Sequence, residues 1–124
     1  MIEFRVDQLE KLLKELRRLT PSVIGSIILS SEGLPIAADL PSSFGEERIA
    51  ARSASMLALG ERIAAELRRG GLDQIFISGS DGYVVVALIN EVAALTVLYS
   101  ANARVAMAIL DVHYSVEQLR RVLG

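Results

Sequence analysis

The chain has 124 residues, enough for one domain with a real core, and 52% of them are hydrophobic, which excludes a disordered polypeptide. A net charge of −2 and 5% aromatic residues without Trp leave no electrostatic or stacking footprint for nucleic acid or an anionic membrane. With no Cys, disulfides, thiolate chemistry and Cys-based metal sites are excluded.

The N-terminal stretch MIEFRVDQLEKLLKEL is charged throughout and does not read as a signal peptide. Over residues 3–19, Val6, Leu9, Leu12, Leu13, Leu16 and Leu19 recur at helical spacing with charges between them, which predicts an amphipathic helix ended by Thr20-Pro21. VIGSIILS (23–30) and LPIAADL (34–40) read as paired strands, and the link Ser30-Ser31-Glu32-Gly33 reads as a turn. A helix is predicted from about Glu46 to Arg69, stopping at Gly70-Gly71. Three strand-like runs follow: DQIFISG, YVVVALI and VAALTVLYS. They are joined by Ser80-Asp81-Gly82 and by Asn90-Glu91. In the tail, Val105, Ile109, Val112, Val116, Leu119 and Leu123 predict one helix, although Ser115 with Gln118 also resembles a capping box that would break it near His113–Ser115. No linker or low-complexity segment divides the chain, so a single domain over 1–124 is expected. Its longest uncharged run, Val92 to Ala103, is too short to span a bilayer, and a cytoplasmic protein without membrane insertion is expected.

The element order is therefore αββαβββα. Tyr83 to Ile89 is apolar without alternation and Ala93 to Tyr99 nearly so, which means strands with no wet face and helices on both sides of the sheet. The middle helix carries two apolar rows. Ile49, Met56, Ile63 and Leu67 form a bulky row suited to the sheet; Ala51, Ala54, Ala58 and Ala65 form a second row on the opposite side. The second row would let another helix approach closely, or it would simply expose a strong helix former. Arg48, Arg52, Arg62 and Glu66 share an arc between the rows. Gln74, Ile75, Phe76, Ile77 and Ser78 follow this helix and precede a hairpin, so they are expected to form an edge strand, without the charge or Pro that blunts such edges. Together these features point to self-association.

The SSEGLPIAA hairpin, the RIAARSASMLALGERIAAEL helix and the DGYVVVALINEVAALTVLYS hairpin, in this order of elements, resemble the Roadblock / dynein light-chain family. The resemblance covers nearly the whole chain and is closest to short prokaryotic members that partner Ras-like small GTPases. It implies an α+β sandwich: a five-stranded antiparallel sheet with the middle helix on one face and the terminal helices on the other. It also implies a homodimer whose third strands pair and whose middle helices lie side by side, placing the contact at Gln74–Ser78 and along Ala51, Ala54, Ala58 and Ala65. Arg48, Arg52 and Arg62 would then face the partner. The implied function is a non-catalytic platform for a Ras-like GTPase, or alternatively a light-chain-like adaptor with no effect on nucleotide turnover. The chain has almost no extension beyond the last helix, so no partner contact through such an extension is carried over.

An enzyme is not expected. There is no phosphate loop ending in Lys-Ser/Thr, and the glycines of SGSDG lie in a hairpin where a dinucleotide fingerprint needs a strand-to-helix turn. His113 is the single His, which excludes multi-His metal sites and leaves one imidazole, most simply a surface residue of the last helix. Ser30, Ser31, Ser78 and Ser80 sit by turns and in no nucleophile-elbow pattern. No cofactor is implied.

Overall fold

The structure, a computed structural model, describes residues 5–123. Three helices and five strands follow the expected order: α1 (Val6–Leu19), β1 (Val23–Ser30), β2 (Pro35–Asp39), α2 (Glu46–Glu66), β3 (Gln74–Gly79), β4 (Gly82–Leu88), β5 (Ala93–Ser100) and α3 (Val105–Leu123). Residues 3 and 4 of the expected first helix lie outside the described residues. The strands form one antiparallel sheet in the order β2-β1-β5-β4-β3, which leaves β2 and β3 at the edges.

Two cores flank the sheet, because successive residues of a buried strand point to opposite faces. On one face Leu9, Leu13 and Leu16 of α1 and Ala108, Val112, Val116 and Leu119 of α3 close over Ile28, Val85, Leu95 and Val97. On the other, Ala50 and Leu57 of α2 close over Ile27, Leu29, Val86 and Ala94. α1 lies over β1 and β2, and α3 over β4 and β5. A bidentate contact from Arg17 to Asp39, at 2.7 and 3.3 Å, ties α1 to β2.

The β1–β2 link is a turn, as its composition implies. Ser30 N–H donates to the Leu34 carbonyl (2.8 Å), Gly33 N–H donates to the Ser30 carbonyl (2.9 Å), and Gly33 sits at φ 85°. A side chain there would be strained by that backbone, and its Cβ would fall 3.2 Å from Ala54 Cβ and 3.3 Å from Ala51 Cα. The turn therefore leans on α2.

One helix end differs from expectation, and the single helix expected for the tail is found. α2 closes earlier than Arg69: Arg69 N–H bonds the Ala64 carbonyl (2.7 Å) and Arg68 N–H the Ala65 carbonyl (3.1 Å). This is a Schellman closure, and its left-handed position is held by Arg68 at φ 57°, with Gly70 two residues beyond. α3 runs unbroken through His113–Ser115, because Ser115 is buried against the core and is not free to cap a new helix.

Candidate functional site

The rotation of α2 about its own axis decides what the molecule shows to a partner. The buried positions of α2 are Ala50, Ser53 and Leu57, which fall within about 60° on a helical projection. The bulky row Ile49, Met56, Ile63 and Leu67 is centred roughly 90° to one side of this line, and the row Ala51, Ala54, Ala58 and Ala65 roughly 95° to the other. The two rows are opposite each other and the sheet takes the line between them, so the expectation that the bulky row packs on the sheet holds only in part: Ile49 and Met56 are half-buried against this core, while Ile63 and Leu67 are exposed.

Small side chains explain the choice. Ser53 Oγ lies 2.7 Å from Thr96 Oγ1 of β5, a buried hydroxyl pair that a bulky side chain would push apart. At Gly60, a Cβ would come within 2.9 Å of Ile75 Cδ1 and 3.0 Å of Leu72 Cδ2. A row of Ala, Ser and Gly lets the helix settle onto the large side chains of β1, β3 and β4, and close packing favours that fit over large against large.

The consequence is an exposed apolar flank. Leu59, Ile63 and Leu67 keep 57%, 46% and 64% of their surface accessible. With Met56, Leu72 and Ile75 they line an open trough of about 460 Å³ between α2 and β3. Ile77 of β3 is exposed on the same side, since it shares a face with Ile75. The alanine row is on the far flank. Ala51 and Ala54 back onto the Gly33 turn, and Ala54 and Ala58 border a smaller hollow of about 230 Å³ with Ser31 and Glu91.

β3 pairs only with β4, from Gln74↔Ala87 to Gly79↔Gly82. Leu88 N–H bonds the Asp73 carbonyl at 3.2 Å. Hydrogen-bonded pairs alternate along an antiparallel ladder, so Ile75, Ile77 and Gly79 also turn their main-chain groups toward β4. Gln74, Phe76 and Ser78 therefore present theirs to the open edge. On the sheet face opposite α2, Phe76 and Tyr83 stack with ring centroids 5.4 Å apart. Arg48, Arg52 and Arg62 stand on the outer arc of α2, away from the sheet, and are exposed. Arg62 reaches Glu66 at 3.8 Å; among the described residues Arg48 and Arg52 make no ion pair.

A second cleft, of about 560 Å³, opens where Asp73, Asn90 and Glu91 meet His113, Glu117 and Arg120 of α3. Its guanidinium is already engaged: Arg120 donates to the Ile89 carbonyl at 2.6 Å and pairs with Glu117 at 2.8 Å. Among the described residues His113 makes no side-chain hydrogen bond or ion pair, so no base with an orienting carboxylate is assembled, and no three His, Asp or Glu side chains converge as metal ligands. Among the described residues no helix is long and apolar enough to cross a membrane.

This chain is similar to proteins known by sequence and to others of known structure. A protein of Methanocaldococcus jannaschii, itself uncharacterized, is 29% identical over 112 residues, covering 90% of this chain and 96% of that one. The structure of Myxococcus xanthus MglB superimposes with a TM-score of 0.88 at 12% identity, covering 98% of this chain and 92% of that chain. A Roadblock/LC7 domain from Streptomyces avermitilis gives a TM-score of 0.83 at 18% identity, covering 90% and 94%. The Roadblock/LC7 domain model matches residues 9–99, and the chain belongs to the Roadblock/LC7 family.

Proposed function

We propose that the protein is a homodimeric regulatory platform for a Ras-like small GTPase. The observation that carries this reading is an unblunted strand edge beside an exposed row of large apolar side chains. An isolated protomer would leave Leu59, Ile63 and Leu67 in water, where burial of each is worth roughly 1.5–3 kcal/mol. Antiparallel pairing of two β3 strands about a two-fold axis would satisfy the outward groups of Gln74, Phe76 and Ser78. It would also bring the two bulky α2 flanks together.

The proposed seam thus keeps Gln74, Ile75, Phe76, Ile77 and Ser78. It replaces Ala51, Ala54, Ala58 and Ala65 with Met56, Leu59, Ile63 and Leu67, because the bulky row borders β3 and the alanine row does not. MglB is among the structural neighbours, and family membership favours a regulator or adaptor over an enzyme. With the flanks joined, Arg48, Arg52 and Arg62 of both copies would stand on the outer surface of the α2 pair, available to an acidic patch on the GTPase.

Mixing the purified protein with a Ras-like GTPase encoded in the same genome tests this. The expected result is a complex and an altered rate of GTP hydrolysis or nucleotide exchange, with Arg48→Glu plus Arg52→Glu weakening the complex at least tenfold. Absence of both complex and rate change defeats the proposal. Equal affinity for the GDP and GTP forms with unchanged turnover would support the second reading instead, a light-chain-like adaptor, which the family resemblance also accommodates.

A further inference from the structure

The bulky flank of α2 has a charged outer rim. On a helical projection Arg52, Leu59 and Glu66 lie about 45°, 65° and 85° from the centre of the bulky row, all on the side away from the sheet. All three are exposed. Arg52 stands about two turns before Leu59, and Glu66 about two turns after it. Among the described residues Arg52 makes no ion pair, and Glu66 is reached only by Arg62, at 3.8 Å. The last turn of α2 carries no basic residue, so Glu66 adds its charge to the negative end of the helix dipole. Arg69, just beyond, donates to the Leu67 carbonyl at 3.1 Å.

The way α2 lies on β3 fixes where a second copy would bring its own rim. Gly60 stands over Ile75, since an added Cβ would come within 2.9 Å of Ile75 Cδ1. Leu67 and Leu72 line the same trough across the short link between the two elements, so α2 and β3 run in opposing senses. One residue forward along β3 is about 3.4 Å, equal to about two residues back along α2. The edge Gln74–Ser78 is centred on Phe76, so a two-fold axis through Phe76 passes α2 near Leu59. Two α2 helices related by that axis run antiparallel. Leu59 then meets Leu59 of the second copy, and Arg52 of each copy meets Glu66 of the other. Opposite charges at equal distances on either side of a two-fold axis make a surface complementary to itself, whereas equal charges would repel.

We infer that Arg52 and Glu66 form a charge key, which makes a second identical chain the partner of this flank in preference to a like-folded chain with other charges at these two positions; this rests on the dimer put forward above. An exposed ion pair adds little attraction, so the key works mainly by exclusion: a mismatched chain would set like charges against each other at the rim. The two pairs close the apolar seam at its border with the outer surface, where Arg48 and Arg62 stand.

The test uses the full chain, with Arg52→Glu and Glu66→Arg as separate variants, in sedimentation equilibrium and native mass spectrometry. Each variant alone opposes like charges twice across the seam. Its dimer is expected to dissociate about fivefold more readily than the parent's at low salt. Mixing the two variants restores both Arg–Glu matches, but only in the mixed dimer. That species should exceed either homodimer about tenfold, against about twofold for chance pairing, and the excess should shrink as salt is raised. A parent that is monomeric at all concentrations overturns the dimer and the key with it. A dimeric parent whose variants dissociate as it does, or whose mixed variants pair by chance, overturns the key alone.

Discussion

Ser53 on α2 and Thr96 on β5 share a buried hydrogen bond of 2.7 Å, and this pair fixes which side of α2 meets the sheet. Either hydroxyl can donate. Because both are buried, removing one strands the other without water or partner.

Ser53→Ala is therefore expected to destabilise the protein by about 1–3 kcal/mol in urea or thermal unfolding. Adding Thr96→Val, which removes the second hydroxyl, should recover part of that loss. A double variant no more stable than the single one would mean that the pair does not act as a unit.

Arg68 occupies a left-handed position that ends α2, at a steric cost to any residue with a Cβ. Its side chain makes no ion pair or hydrogen bond among the described residues. Arg68→Gly should raise stability by about 0.5–1 kcal/mol, the relief of strain outweighing the extra freedom of the unfolded chain. Unchanged or lower stability would show that the arginine contributes a contact.

Asp111 has its pKa raised above the usual carboxylate value by partial burial, and Tyr99, whose hydroxyl donates to the Ala108 carbonyl at 3.3 Å, is raised by burial and secondarily by Asp111. A carboxyl whose pKa is higher folded than unfolded favours the folded state when protonated, and that contribution disappears as pH rises through the folded value. Asp111→Asn should therefore be more stable than the parent at neutral pH. The advantage should shrink as pH falls through the raised pKa and vanish below the unfolded one. A pH-independent difference would assign the effect to packing. Glu15 is the opposite case, its pKa lowered by the hydrogen bond from Arg18.

Element types, their order and the two-faced sheet were legible because they rest on local signals: the uninterrupted apolar runs of β4 and β5, the turn at Ser30–Gly33, the 3.6-residue period of α1 and α3. The rotation of α2 was not. Its hydrophobic periodicity marks two rows correctly as opposite, yet the sheet selects the line of Ala50, Ser53 and Leu57. That line wins through closeness of fit and through the bond to Thr96, 43 positions away in the chain. Bulk is a poor guide to burial when the opposing surface is itself bulky. Size along the small line, with Gly60 at its end, was the signal available. Likewise Gly70-Gly71 drew the end of α2 too far, because Arg68 took a conformation that glycine usually supplies. The open edge at β3 was legible from the bare composition of QIFISG. How far its neighbours cover Phe76, half-buried against the core that α1 and α3 close, depends on where α3 lies and is a tertiary property.

Adjacent residues of α2 provide the most direct trial of whether the bulky flank beside β3, and not the alanine row, joins two copies. Sedimentation equilibrium of the parent, Leu59→Glu and Ala58→Glu would decide it, since a charge buried in a helix contact is costly and one on a free flank is not. A dimer is expected for the parent and for Ala58→Glu, and a monomer for Leu59→Glu. A parent that is monomeric, or a Leu59→Glu variant that stays dimeric while Ala58→Glu dissociates, would contradict it.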